Sequence, residues 1–321
     1  MDKTKWKYFK ENNLKHIFRT SSNEWIRELF PFPFLKFLEK TAGGERLYYK
    51  IMKTRFLLTR KPVLPIIEYV VTTRCTMNCK HCNTFIPSFN NETHVKPTSF
   101  KTFKQDIDKL LKSVDYIENF GFVGGEPLIA KDLAKMVKYA ASKRKIHHIF
   151  IATNCTILPN KELLKAAKNK KVAFQISDYR NVENIDVKYN EYKELLIKNK
   201  IAFNNFQEKR EAVTWFSMPE CYKDKQENVK QLYDSCFGRY CNMLADGVLT
   251  QCTVSIHMYR LMERTPEIEA DVVNIREEKS AKKLTEELIG FYARPYSEFC
   301  NWCHWENIEY GLPCGEQVLR A

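Results

Sequence analysis

The sequence lacks any apolar run long enough to cross a bilayer. Its best stretch, Trp25 to Leu38, is interrupted by two prolines and several charged residues, which excludes a spanning helix. No cleavable apolar leader follows the charged start Met1-Asp2-Lys3. The 11 cysteines therefore indicate a reducing compartment in which thiolates serve as ligands rather than as disulfides. We expect a cytoplasmic protein.

The sequence also lacks an extended Lys/Arg block, although lysine and arginine outnumber aspartate and glutamate by 52 to 39. The net charge of +13 suits a phosphorylated or nucleotide-linked substrate or an anionic membrane surface. Without a recognisable nucleic-acid-binding signature, we expect no nucleic-acid partner. Repeats of fixed period and low-complexity tracts are missing as well, so a solenoid is unsupported.

Residues 1–62 form the first predicted unit, a helical extension rich in basic and aromatic residues. Pro62 and Pro65 stop helix propagation at its end. Two interpretations of its aromatic residues stay open. The extension packs on its own protein, or it makes a peripheral membrane contact near a lipid-linked substrate through Phe30, Phe32, Phe34 and Phe37.

Residues 63–214 form the second predicted unit, in which β-rich and helical stretches alternate. The pattern predicts strands at 66–72, 117–123, 147–153 and 172–177, and helices at 99–114, 128–143 and 161–169. Such alternation implies βαβ crossovers and an α/β fold with a parallel sheet. Ligands of such sheets gather at the carboxyl ends of the strands.

Residues 215–321 form the third predicted unit, a small module with clustered cysteines. A hairpin is predicted from 240–245 and 248–254, because Asp246-Gly247 between them is a typical hairpin turn. This change of pattern separates the module from the alternating unit before it.

Cys75, Cys79 and Cys82 lie on one loop, directly after the first predicted strand. Three thiolates at these spacings can wrap three corners of an iron-sulfur cubane and leave the fourth iron without a protein ligand. An open metal position can bind a small molecule. Structural zinc sites more often use paired Cys-x2-Cys units, so the triplet points to chemistry rather than to structure.

The triplet resembles the cluster-binding motif of the radical S-adenosylmethionine (radical SAM) superfamily, and Gly124-Gly125-Glu126-Pro127 resembles its second motif. The resemblance implies a partial (β/α)6 barrel, a 4Fe-4S cluster held by Cys75, Cys79 and Cys82, and S-adenosylmethionine on the open iron. One electron then releases a 5'-deoxyadenosyl radical that abstracts hydrogen from a substrate. By the same resemblance, the cofactor contacts are His81, Gly124, Gly125, Glu126, Asn154 and Ser177. The carboxylate of Glu126 suits the methionine amine.

A second set of cysteines is similar to the auxiliary-cluster module called twitch, found in radical SAM proteins of carbohydrate pathways such as 2-deoxy-scyllo-inosamine dehydrogenase. The resemblance implies a second 4Fe-4S cluster on Cys236, Cys252, Cys300 and Cys303. Cys241 is an alternative to Cys236, because both precede the hairpin turn. A zinc site of Cys300, Cys303, His304 and one hairpin cysteine is the competing interpretation.

The resemblance implies a radical SAM oxidoreductase that dehydrogenates an alcohol of a sugar, sugar phosphate or nucleotide-linked sugar. Its electron donor would be a flavodoxin or a ferredoxin. One alternative is a radical epimerase, in which Cys155, expected at the barrel mouth, returns a hydrogen atom. A peptide-modifying enzyme is a second alternative. The alternative from another class is a non-catalytic zinc or iron-sulfur protein that binds nucleic acid.

Overall fold

The computed structural model of the chain describes residues 2–15, 26, 29–30, 33–204, 214–221, 225–236, 238–261 and 264–319. Trp25 and Phe32, two residues of the predicted aromatic stretch, lie outside this part. Among the described residues, no helix combines the length and the apolar character that a membrane span requires.

The described strands form one large sheet and two small ones. In chain order they are β1 (Leu64–Thr72), β2 (Ile117–Gly124), β3 (Ile146–Thr153), β4 (Val172–Ile176), β5 (Ala202–Asn204), β6 (Thr214–Phe216), β7 (Glu220–Cys221), β8 (Asn242–Ala245), β9 (Val248–Thr250), β10 (Val273–Asn274), β11 (Cys303–His304) and β12 (Tyr310–Pro313). The large sheet has the order β10-β9-β8-β1-β2-β3-β4-β5, while β7 pairs with β11 and β6 with β12. Strands β1 to β5 and β8 are mutually parallel, and β9 and β10 are antiparallel to their neighbours.

Helices cover the sheet and connect its strands. The described α-helices are α1 (Lys3–Phe9), α2 (Pro33–Lys40), α3 (Gly44–Thr59), α4 (Phe100–Ser113), α5 (Leu133–Ser142), α6 (Lys161–Ala167), α7 (Tyr189–Lys198), α8 (Val229–Ser235), α9 (Thr253–Leu261), α10 (Pro266–Asp271) and α11 (Ala281–Tyr292). Helices α4 to α7 are the crossovers between successive parallel strands. Two of them begin at side chains that satisfy a free backbone N–H: Ser99 accepts from Thr102 N, and Asn160 accepts from Leu163 N.

The sheet is buried on both faces over most of its length. In β1, every residue is buried except the half-buried Glu68. Tyr69, Phe103 and Phe120 pack together between β1, α4 and β2, with ring centroids 5.1 to 6.2 Å apart. A parallel sheet covered on both sides needs such continuous apolar strands. A charged residue in the middle of β1 is therefore conspicuous.

The N-terminal helices pack against the body of the protein. Phe9 of α1 lies against Phe56 of α3, with ring centroids 4.7 Å apart. Asn12 donates from its side-chain amide to the carbonyl of Tyr292 at 3.1 Å, and Asn13 donates to the carbonyl of Val63 at 2.6 Å. The described part of the extension thus packs on its own protein, while one face of α2 and α3 remains exposed.

The predicted α/β fold with a mostly parallel sheet is confirmed. The predicted hairpin is also present, although its second strand is shorter than predicted because α9 begins at Thr253. The sequence did not indicate that the hairpin joins the main sheet, where β8 pairs with β1 as a sixth parallel strand. The sheet therefore continues across residue 214. The division into 1–62, 63–214 and 215–321 stays a prediction.

Candidate functional site

The structure brings the first three cysteines together at one cavity. Cys75, Cys79 and Cys82 follow β1 and line a cavity of about 430 Å³ beside the carboxyl ends of the parallel strands. Cys79 is buried, and the other two are half-buried. The three cysteines, whose spacing suggested a common ligand, thus lie together in the structure.

Each of the three sulfurs has its own polar neighbour. The amide of Asn154 donates to Cys75 Sγ at 3.5 Å, Gln317 Nε2 donates to Cys79 Sγ at 3.3 Å, and Thr84 Oγ1 lies 3.2 Å from Cys82 Sγ. Burial raises the pKa of Cys75 to about 12 and that of Cys79 to about 11. Iron supplies the positive charge that keeps such buried sulfurs ionised. These residues therefore fit an iron-sulfur cluster.

Gly124 and Gly125 allow the turn after β2 to pack directly beneath the cysteine loop. A Cβ on Gly125 would lie 2.2 Å from the carbonyl oxygen of Arg74, and one on Gly124 would lie 2.0 Å from that of Thr72. Gly124 also has a φ of 136°, which side chains rarely adopt. The Gly125 amide donates to Thr72 O at 2.8 Å. Both glycines line the cavity, so the turn forms part of its wall.

Glu126 is buried behind the wall of the cavity. Its side chain is 0% exposed and is not among the residues that line the cavity. The carboxylate accepts from Leu128 N at 3.0 Å, from Thr153 Oγ1 at 3.0 Å and from Asn154 N at 2.9 Å. Burial raises the pKa of Glu126 to about 7, and these hydrogen bonds oppose the shift. The carboxylate therefore joins the end of β2 to the end of β3, and its contact with the methionine amine stays a prediction.

Asn154, Ser177 and His81 lie on the wall of the cavity, as the sequence predicted. Asn154 donates to Thr76 Oγ1 at 3.0 Å as well as to Cys75, so it ties the end of β3 to the cysteine loop. The amide of Ser177 donates to Thr153 O at 3.0 Å, which holds the end of β4 beside that of β3. These contacts place the three side chains where a ligand above the cysteines can reach them. Their roles toward a cofactor remain predictions.

Cys155 lies elsewhere than expected. It is 0% exposed and does not line the cavity, so its thiol does not face the barrel mouth. Its backbone has a φ of 61°, the left-handed region in which glycine is favoured. Burial raises the pKa of this thiol far above its ordinary value, and the charge of Glu126 adds to the effect. The position is that of a small buried core residue.

Two polar residues that the sequence reasoning missed also line the cavity. Glu68 lies in the middle of β1 and Gln175 in the middle of β4. Each is the half-buried residue of a strand that is otherwise buried. Burial raises the pKa of Glu68 to about 7, and no described neighbour offsets that shift. A single charged residue inside an apolar strand, as in Ile66-Ile67-Glu68, is the signal that could have identified it.

The second cysteine set surrounds a smaller cavity of about 130 Å³. Cys236, Cys252, Cys300 and Cys303 all line it, as the sequence predicted, and Cys241 lines it too. Burial raises the pKa of Cys252 to about 12, with the neighbouring Cys236 adding to the shift. Five thiols around one small apolar cavity form a donor set that suits an iron-sulfur cluster.

Cys241 lies between the two cavities, since it lines both of them. Glu68 does the same, and its charge raises the pKa of the Cys241 thiol further above its ordinary value. Cys221 is a sixth thiol of this region, because β7 places it directly opposite Cys303 on β11. The structure keeps both Cys236 and Cys241 beside the cavity, so the choice between them stays open.

The Nδ1 atom of His304 has two polar neighbours. It lies 2.9 Å from Gln226 Nε2 and 3.2 Å from Glu306 Oε1. Within the described part of the chain, no three His, Cys, Asp or Glu side chains converge closely enough to hold a single ion. The same holds for the cysteines of both sets, so the zinc site of Cys300, Cys303, His304 and a hairpin cysteine stays an alternative prediction.

Comparison with known families identifies the central part of the chain. Residues 69–177 match the Radical SAM superfamily, so this part is a radical SAM domain, and the predicted resemblance is confirmed for it. Members of the superfamily are enzymes, and the family implies a 4Fe-4S cluster and S-adenosylmethionine. The twitch subgroup stays a prediction.

Curated relatives match over about a third of the chain. The 7,8-dihydro-6-hydroxymethylpterin dimethyltransferase of Methanocaldococcus jannaschii is 33% identical over 98 residues, which are 30% of this chain and 19% of that protein. The GTP 3',8-cyclase of Clostridium acetobutylicum is 31% identical over 107 residues, 31% of this chain and 32% of that protein. The matches span between a fifth and a third of these relatives. Among solved structures, BtrN in complex with AdoMet and 2-DOIA is 15% identical, covers 79% of this chain and 96% of its own, and has a TM-score of 0.44.

Proposed function

We propose that this chain, with its radical SAM domain at residues 69–177, uses S-adenosylmethionine and an iron-sulfur cluster to abstract hydrogen from a carbohydrate substrate and oxidise an alcohol. The observation that carries the proposal is the convergence of three thiols on one cavity. Cys75, Cys79 and Cys82 line its wall together with Gly124 and Gly125. Three sulfurs leave one iron of a cubane open, and the glycine turn leaves room beside it.

When bound, the cluster and its cofactor supply the one-electron chemistry that starts hydrogen abstraction. The residues of the chain would hold the cluster and orient the cofactor. Cys75, Cys79 and Cys82 would ligate the cluster, while Gly124 and Gly125 would bring backbone edges close to the cofactor. Asn154, Ser177 and His81 project into the same cavity and would fix the cofactor's orientation. Glu126 acts through structure, because its hydrogen bonds hold the ends of β2 and β3 in register.

The second cysteine set favours oxidation as the outcome. In a dehydrogenation the substrate loses a proton and a second electron after hydrogen abstraction, and that electron needs an acceptor nearby. A second 4Fe-4S cluster on Cys236 or Cys241 together with Cys252, Cys300 and Cys303 would lie beside the first cavity, because Cys241 lines both cavities. The epimerase alternative needs a thiol facing the substrate, whereas Cys155 is buried away from the cavity.

The cavity wall favours a substrate that presents hydroxyl or amine groups rather than a phosphate. Glu68 and Gln175 are hydrogen-bonding groups on this wall. Its described lining residues include no lysine or arginine, although phosphate recognition ordinarily uses them. The excess of positive charge therefore lies outside the described cavity wall. A flavodoxin or ferredoxin is the proposed reductant.

The exposed face of α2 and α3 supports a peripheral membrane contact. Six large apolar side chains are exposed there: Phe34, Phe37, Leu47, Ile51, Leu57 and Leu58. Residues 33–60 also carry seven basic and two acidic side chains. A second copy of the chain would bring like charges together, whereas anionic lipid complements both the charge and the apolar side chains.

The direct test is formation of 5'-deoxyadenosine by oxygen-protected, reduced protein in the presence of S-adenosylmethionine. We expect the wild type to form it and to carry about eight irons per chain, the content of two cubanes. Cys75→Ala should abolish the product, while Lys80→Ala, a change on the same loop that removes no sulfur, should leave it. Product formation by Cys75→Ala, or a colourless protein that holds only zinc, would reject the proposal.

A further inference from the structure

The C-terminal segment 314–318 reaches back to the first cysteine loop. Cys79 and Gln317 form an isolated antiparallel bridge. Val318 N donates to Asn78 O at 2.9 Å, and Asn78 Nδ2 donates to Val318 O at 2.8 Å. Lys80 N donates to Glu316 O at 2.8 Å. A segment from the C-terminal end of the sequence thus packs against the cysteine loop. The sequence did not indicate this contact.

The side-chain amide of Gln317 has a defined orientation. Its Oε1 accepts from Asn78 N at 2.7 Å, and its Nε2 donates to Gly315 O at 2.6 Å and to Cys79 Sγ at 3.3 Å. A flipped amide would place its oxygen against the carbonyl of Gly315 and its NH2 against the N–H of Asn78. Both contacts would be repulsive, so the network fixes the donor toward the sulfur.

Packing holds the segment in place. Gly315 has a φ of 74°, and a Cβ there would lie 2.7 Å from Val182 Cγ2 and 3.0 Å from Tyr179 Cδ1. The adjacent ion pair between Lys80 Nζ and Glu316 Oε1, at 3.2 Å, joins half-exposed side chains. Exposed pairs of this kind contribute about 1 kcal/mol or less. The backbone hydrogen bonds and the tight fit at Gly315 are therefore the main restraints on Gln317.

We propose that Gln317 is a positioning residue of the first cluster, and that its amide N–H raises the reduction potential of the cluster by donating to Cys79 Sγ. The inference rests on the proposed function, since it requires a cluster on Cys75, Cys79 and Cys82. Hydrogen bonds to cluster sulfurs stabilise the reduced form, which carries more negative charge, and are among the factors that set the potential. The donor to Cys75 lies 79 residues away in the sequence and the hydroxyl beside Cys82 two residues away, whereas the donor to Cys79 lies 238 residues away.

Gln317→Met tests the inference, because methionine keeps the length of the side chain and removes the amide. The measurement is a potentiometric titration of the first cluster by electron paramagnetic resonance, in a background where Cys300→Ala and Cys303→Ala remove the second ligand set. We expect a more negative midpoint potential for Gln317→Met. Gln317→Glu should shift the midpoint further in the same direction, because a carboxylate would then face the sulfur.

Lys80→Ala is the matched control, since it removes the exposed ion pair to the same segment without touching a sulfur. The positive charge that it removes near the cluster is exposed and screened by solvent, so it should shift the midpoint potential far less than Gln317→Met does. An unchanged midpoint in Gln317→Met with full iron content would overturn the inference, and so would an equal shift in Lys80→Ala. Iron loss in Gln317→Met alone would support the positioning role. Absence of any cluster from the wild-type loop would overturn the proposed function and this inference together.

Discussion

At the level of single residues, Glu68 and Glu126 have similarly raised pKa values but different hydrogen-bond partners. Glu68 and Glu126 are both desolvated, and burial raises the pKa of each to about 7. Glu126 accepts three hydrogen bonds from its own protein, whereas no described neighbour offsets the burial of Glu68. The carboxylate of Glu126 is therefore held by its own protein, and that of Glu68 is available to a ligand.

Glu68→Gln should stabilise the protein at alkaline pH. The pKa of Glu68 is higher in the folded state than the ordinary 4.5, so the folded state retains a proton that the unfolded state has lost. Stability contributed by this group falls as pH rises from about 4.5 to about 7, and the deficit then stays constant. Glutamine removes this deficit. The free energy of unfolding should therefore rise by up to about 3 kcal/mol at pH 8 and by almost nothing at pH 4.

Urea denaturation of oxygen-protected protein at the two pH values measures this difference, with the exposed Glu162→Gln on α6 as the control. Oxidation of the substrate by Glu68→Gln should fall at the same time, since stability is commonly traded for function at binding sites. A variant that is less stable than the wild type at pH 8 would show that Glu68 supports the fold instead.

Glu126→Gln should stabilise the protein much less than Glu68→Gln does at pH 8. The pKa of Glu126 in the folded state is also raised to about 7, so removing this carboxylate gains about as much stability as at Glu68. Glutamine can still accept from Thr153 and Asn154, but its NH2 would then face the N–H of Leu128, and a buried donor without an acceptor costs about 1–3 kcal/mol. The same urea titration compares the two variants directly. A gain as large as that of Glu68→Gln would mean that the hydrogen bond from Leu128 contributes little.

The sequence allowed the three cysteines and Gly124-Gly125 to be predicted as a site because their spacing and local order carry the information. The burial of Glu126 and Cys155 behind the cavity wall was not predicted, because the direction in which a side chain leaves a strand end depends on backbone angles that the sequence did not reveal. Gln317 could not be predicted at all. Its contact with Cys79 spans 238 residues and depends on how the chain returns to the sheet.

At the level of elements, the strands and crossovers of the parallel sheet follow from alternating β-rich and helical stretches. The strand β8 was assigned correctly to a hairpin, but its pairing with β1 was not foreseen. A short strand pairs wherever the fold leaves a free edge, and its own residues do not specify the partner. Because β8 pairs with β1, the hairpin and Cys252 lie next to the first cavity.

The helices α2 and α3 should bind anionic vesicles. We expect the wild type to float with vesicles of phosphatidylglycerol and phosphatidylcholine, and much less with phosphatidylcholine alone. Phe34→Ser, Phe37→Ser and Leu58→Ser combined should reduce the bound fraction by roughly tenfold or more, because three apolar side chains leave the interface. High salt should weaken binding as well.

Ile197→Ser is the matched control for this experiment. Ile197 on α7 is 61% exposed, similar to Phe37 at 63%, but it lies outside the α2–α3 face. It should bind vesicles like the wild type. Equal flotation of the triple variant and the wild type would show that this face makes no membrane contact. Concentration-dependent dimerisation of the wild type that is lost in the triple variant would instead assign the face to contact with a second copy of the chain.

At the level of the whole molecule, the two cysteine-lined cavities are neighbours. Glu68, Cys241, Phe216 and Met218 line both. A substrate held between them would have the first cluster on one side and the second on the other. Under the proposed function, this arrangement would let hydrogen abstraction and removal of the second electron occur in one place.

The central requirement is a cubane that is held by only three protein sulfurs at the first loop. Mössbauer spectroscopy of iron-57 protein, with Cys300→Ala and Cys303→Ala removing the second set, tests it with and without S-adenosylmethionine. We expect one of the four irons of the cubane to change its isomer shift when the cofactor is added. Four irons that are all ligated by side chains and unaffected by the cofactor, or no cubane at Cys75, Cys79 and Cys82, would contradict the proposed function.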